Sequence, residues 1–112
     1  MNAKHYVSLE AAKKLKKINH DGLNYYMHIG CNGIICPSYV VGDNIYPAPT
    51  LLEAMDWLEE RGIVIEITYD TIDNEWFSSV TILSKRLSSL ADCGKDRNEC
   101  MQKAIEKALE LL

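Results

Sequence analysis

Apolar and polar positions recur along this chain with two periods, and the switches between them mark the expected elements. From Ser8, apolar side chains return at Ala11, Ala12, Leu15 and Ile18 with lysines between them, which predicts a short helix opening on a serine N-cap. "NHDG" at 19–22 stops it, since Gly22 tolerates the left-handed conformation that ends helices. The next run, "LNYYMHIGCNGIICPSYVV", is rich in aromatic and β-branched residues and holds Asn32-Gly33 at its middle. Asn-Gly between two such runs predicts a hairpin on a two-residue turn, with Cys31 opposite Ile34 and Ile29 opposite Cys36. In that register Cys31, Cys36, Ile29 and Met27 share one face, and Tyr26, His28 and Tyr39 share the other.

"VGDNIYPAPT" reads as a connector that delivers the chain to Thr50, where "TLLE" forms a capping box and begins a second helix. Leu51, Ala54, Met55 and Leu58 supply its buried stripe, and Gly62 ends it. "IVIEITY" then alternates, with Ile63, Ile65, Ile67 and Tyr69 on one side, and "EWFSSVTIL" returns as the second arm of another hairpin. Residues 84–96, "SKRLSSLADCGKD", read as a polar loop. Asp96 and Glu99 predict a further capping box, opening a last helix that buries Met101, Ala104, Ile105, Ala108 and Leu112. The expected order is α-β-β-α-β-β-α. It implies a single α+β domain over residues 1–112, in two layers, with one four-stranded antiparallel sheet of two hairpins and the helices packed on one face.

Composition narrows the function classes. With 47% hydrophobic and 25% charged residues, the 112-residue chain has the make-up of a folded domain and not of a disordered one. A net charge of −4 gives no general reason to expect nucleic-acid binding. Lysines crowd the first 20 residues and carboxylates crowd 43–75, an asymmetry that usually marks solvated faces. No apolar run approaches the ~20 residues of a membrane span, and the amino terminus lacks the apolar core of a signal peptide. The expectation is a cytoplasmic protein with no membrane partner, whose thiols stay reduced.

Four cysteines are the most evident candidate chemistry. Cys31 and Cys36 with Cys93 and Cys100 would supply four thiolates, but their spacings do not match the close pairs of structural zinc sites. The expected reading is that they pack as small hydrophobes, with no metal and no cofactor. No Gly-rich phosphate loop, G-x-S-x-G or H-E-x-x-H occurs, so no catalytic residue and no enzyme activity are expected. The surplus of aromatic residues remains. If Tyr26 and Tyr39 stand on the open face of the sheet beside Trp76, the three form an interaction surface for a protein partner or for self-association.

"PAPTLLEAMDWLEERGIVIEITY" and the closing "ECMQKAIEKALELL" resemble a group of small proteins carried by prophages and mobile elements of gut bacteria. Pro49, Thr50, Ala54, Trp57 and Leu58 match its Pro-Thr-capped helix ending in Trp-Leu. The resemblance implies a mobile-element origin and brings no activity, substrate or catalytic residue with it. Taken together, the sequence reads as a non-enzymatic protein-interaction or accessory module, in the form of a homodimer. The alternative is a small-ligand or metal-binding protein using the Cys31/Cys36 hairpin and nearby tyrosines.

Overall fold

The structure is a computed structural model that describes residues 5–18, 27–30, 35–37 and 45–112; side chains at 27–30, 35–37, 45, 47, 92 and 93 lie outside the description. Its order is α1 (Leu9–Lys17), β1 (Met27–Gly30), β2 (Ile35–Pro37), β3 (Ile45–Pro47), α2 (Leu51–Glu60), β4 (Ile63–Asp70), β5 (Glu75–Ile82), β6 (Leu87–Gly94) and α3 (Arg97–Glu110). The class is α+β, as expected. The single four-stranded sheet is not: the described strands form two antiparallel three-stranded sheets, β2-β1-β3 and β4-β5-β6.

Two segments account for the difference. The supposed connector contributes β3, which pairs with β1 at Ile29–Tyr46 and Gly30–Ile45. Pro37 and Pro47 both fall on edge strands, where a missing N–H is tolerated, and the central β1 carries none. The supposed polar loop 84–96 contributes β6, paired with β5 from Ile82–Leu87 to Trp76–Gly94 with an irregularity between Trp76 and Phe77. A lone hairpin is marginal in water, so β4 and β5 gain a third strand even from a serine-rich segment.

Caps fix the helices where the sequence places them. Ser8 accepts from Ala11 N–H at 3.1 Å to open α1. The stop expected at 19–22 lies outside the described residues, and α1 ends at Lys17 with Ile18 as its cap. At α2 the capping box is complete: Glu53 N–H donates to Thr50 Oγ1 and Thr50 N–H to the Glu53 carboxylate, each at 3.2 Å. Thr50→Ala should therefore cost about 1 kcal/mol by urea denaturation, with Thr50→Ser close to wild type. Gly62 ends α2 at φ +83°, a conformation that disfavours any side chain. Asp96 caps α3 through the N–H groups of Asn98 and Glu99. The Glu99 carboxylate reaches Lys103 at 3.3 Å.

The core joins all three helices to the second sheet. Ala11, Ala12 and Leu15 of α1, Leu51, Ala54, Trp57 and Leu58 of α2, and Met101, Ala104, Ile105, Ala108 and Leu109 of α3 pack with Ile63, Ile65 and Val80. Met55, expected in the α2 stripe, is only partly buried, and Trp57 takes the central place. Leu112, expected to be buried on α3, is exposed, and Leu109 with Cys100 is buried in its stead. The helix has turned past its last core contact by residue 110, so the terminal leucine pair faces solvent.

Candidate functional site

The register of β4-β5-β6 sorts its residues between a covered and an open face. Ile63, Ile65, Ile67 and Tyr69 oppose Ile82, Val80, Ser78 and Trp76, and Ser78 and Val80 in turn oppose Ala91 and Ser89. Directly opposed residues share a face. Val80 and Ser78 are buried, so this is the side that α3 covers. The other side carries Val64, Glu66 and Thr68 with Phe77, Ser79 and Thr81, then Ser88 and Leu90, none of them fully buried. A Thr81–Ser88 hydroxyl pair at 2.9 Å crosses this open face.

Trp76 therefore does not stand on the open face. It lies on the helix side near the far end of the ribbon, partly buried and edge-on to Tyr69, with ring centroids 5.1 Å apart. Its place at an odd remove from Phe77 decides this: Phe77, and not Trp76, points away from the helices. Tyr26 and Tyr39 lie outside the described residues, so the expected trio has one member in view, on the other side of the sheet.

The cysteine hairpin is also corrected in register. β1 opposes β2 as Met27–Pro37, His28–Cys36 and Ile29–Ile35, one residue away from the ladder that a two-residue Asn32-Gly33 turn requires. His28, expected on the face opposite to Cys36, is its direct ladder partner. The turn itself and Cys31 lie outside the described residues, as do the side chains of Cys36 and Cys93. Cys100 is buried and disulfide-bonded. The expectation of a reduced thiol fails there, and its sulfur is not available to a metal as thiolate. Among the described residues no three His, Cys, Asp or Glu side chains come together as a metal site.

A recess of about 340 Å³ opens where the first turns of α2 and α3 converge, lined among others by His5, Thr50, Leu51, Leu52, Arg97 and Met101. Two helix N-termini would favour an anion, but both are already served by their own oxygens, those of Thr50, Glu53 and Asp96. Among the described residues no carboxylate or thiol lines the recess to act beside His5, so the described lining carries no acid–base or nucleophilic pair.

The remaining distinctive feature is the rim formed by β6. Residues 83–91 are exposed throughout, with Leu87 at 59% and Leu90 at 72%. Among the described residues no strand pairs with the far edge of β6. Edge strands are normally blunted by lysine, proline or short length. Here eight residues run "LSSLADCG", with Asp92 as the only charge and the irregularity confined to the end beyond Phe77. Sequence reasoning misses this strand because serines at 88 and 89 lower its β-propensity, and the signal that would find it is the need of β5 for a second partner.

Among the described residues no helix is long and apolar enough to cross a membrane. No family model matches the chain, and no curated protein or solved structure matches it either.

Proposed function

We propose that the protein is a non-enzymatic interaction module of mobile-element origin, cytoplasmic and acting through self-association, with neither membrane nor nucleic acid as partner. One observation carries the reading: residues 87–91 of β6 are exposed, with Leu87 and Leu90 among them, and among the described residues no strand pairs with the outer edge of β6. The mobile-element origin rests on the match at Pro49, Thr50, Ala54, Trp57 and Leu58. Light scattering coupled to gel filtration, from about 1 µM to about 1 mM, spans specific through weak association, and a dimer within that range is expected. A monomer throughout removes self-association.

The second reading, a small-ligand or metal-binding site at the Cys31/Cys36 hairpin, has Cys100 taken out by its disulfide. Elemental analysis of protein purified without chelator tests it, and metal at about one equivalent would favour it over packing cysteines. Cellular location is tied to the same chemistry, because disulfides persist chiefly in oxidising compartments. With the Cys100 disulfide formed, no more than two of the four thiols should be alkylated at the moment of cell lysis, and four free thiols would show that the bond does not form in a reducing cytoplasm.

A further inference from the structure

We infer that the recess between the first turns of α2 and α3 binds a small organic monocarboxylate, its carboxylate at Arg97 and its apolar body over Leu51 and Met101. The inference goes beyond the self-association reading and stands or falls without it.

Size and lining set the class of ligand. At about 340 Å³ the recess lies at the small end of the range of about 300–1,000 Å³ that ligand pockets span, so it suits a compact molecule. Its buried lining is apolar, from Leu51 and Met101, and Leu52 adds a wall that is 59% exposed. An exposed leucine beside a recess is surface that the apolar body of a ligand takes out of water.

Polar groups around that lining set the head group. Arg97 and Asn98 of α3 and His5 before α1 all line the recess. Among the described residues no carboxylate pairs with Arg97, and no hydrogen bond engages the side chains of His5 or Asn98. A guanidinium presents two parallel N–H groups that match a carboxylate, and a carboxamide and an imidazole each add a donor. Arg97 is also the first residue of α3, where the helix dipole disfavours a cation. An anion in the recess offsets that cost.

Charge count separates a monocarboxylate from a phosphate. Thr50 and Arg97 each bring a cap carboxylate close by: Glu53, bonded to the Thr50 hydroxyl at 2.8 Å, and Asp96, which precedes Arg97 and accepts from the N–H groups of Asn98 and Glu99. One guanidinium beside two carboxylates balances a single negative charge, whereas a dianion meets repulsion. A phosphate would also cover Leu51, Leu52 and Met101 without an apolar group to match them.

The test is titration of the full chain with octanoate, followed by amide shifts in NMR spectra. Octanoate should bind one per chain with a dissociation constant below about 1 mM, shifting the amides of Leu51, Leu52 and Asn98. From butanoate to octanoate, each methylene should tighten binding about two- to fourfold. Octan-1-ol, of equal length and no charge, should bind about tenfold or more weakly, and inorganic phosphate should not compete. Arg97→Gln should weaken octanoate by about tenfold, with Arg97→Lys recovering part of the loss. Arg97 is exposed, so its replacement should leave the thermal midpoint within about 3 °C of wild type. Leu52→Ser, also at an exposed position, should weaken octanoate about threefold by shortening the apolar wall. No saturable binding up to about 10 mM, octanol equal to octanoate, or indifference to Arg97→Gln would each overturn the inference. None of these outcomes bears on whether the chain dimerises, and a monomer that binds octanoate at this recess removes self-association alone.

Discussion

Replacing Trp57 by alanine should lower the stability of the chain by about 3–5 kcal/mol, the range for emptying a large aromatic site in a core. Trp57 is 3% exposed, although it sits on a helix whose neighbouring positions 56, 59 and 60 are in water. It joins Leu58 in the cluster that ties α2 to β4 and α3. Its indole is roofed by the Arg61 guanidinium, 3.8 Å from the ring centroid, and Arg61 also donates to the Trp57 carbonyl at 3.4 Å. The lid and the filling separate by mutation. Arg61→Met should cost no more than about 0.5–1 kcal/mol, the worth of an exposed cation–π contact, because the methionine still covers part of the ring. Urea denaturation of the two variants measures the difference. A loss below about 2 kcal/mol for Trp57→Ala would place the indole at a collapsible rim and not in the core.

Trp57 also shows where the amphipathic pattern is legible and where it is not. A stripe through 51, 54, 55 and 58 and one through 51, 54, 57 and 58 fit the helical period equally well; the choice depends on which flank of α2 meets α3, and that is tertiary information. The caps need none, which is why Ser8, Thr50 and Asp96 open their helices at the residues read from sequence. Strand β4 is equally clear, because Ile63, Ile65 and Ile67 alternate against a covered sheet. Strand β6 is not, because an edge strand lying open on its outer face has no reason to alternate, and its serines resemble a loop. The hairpin register of β1 and β2 misleads for a related reason: Asn-Gly fixes a two-residue turn only when the flanking ladder agrees, and β3, pairing on the other side of β1, adds a constraint that no dipeptide encodes. The interaction surface inherits both errors. Trp76 reads as open-faced only while its pairing with Tyr69 is unknown, and the exposed residues 87–91 lie in a segment whose composition is that of a loop.

Removing the Gln102 side chain should cost about 2 kcal/mol, although it forms no part of the apolar core. Its carboxamide oxygen accepts the Ser8 N–H at 2.8 Å and its nitrogen donates to the Tyr6 carbonyl, so one side chain serves both polar directions of the backbone before α1. One turn along α3, the Glu106 carboxylate takes the Ser8 hydroxyl at 2.6 Å, while the same hydroxyl oxygen caps Ala11. The entry to α1 is thus fastened to α3 across more than ninety residues of sequence, beside Val7, which is buried and pairs through its N–H with the Pro49 carbonyl. Gln102→Ala strands a donor and an acceptor in a partly buried place, where each lacks the water that would replace its partner. Gln102→Glu keeps the acceptor, loses the donor and adds a second carboxylate one turn from Glu106, so it should recover only part of the loss. The signature lies in position as well as size. Hydrogen exchange in Gln102→Ala should quicken first at Ser8 and through α1, with α3 and the β4-β5-β6 sheet still protected, because the bonds lost are those that bring the α1 segment onto a core the rest of the chain already forms. Uniform loss of protection over the whole molecule would instead make this segment part of the same cooperative unit as Ile105 and Leu58.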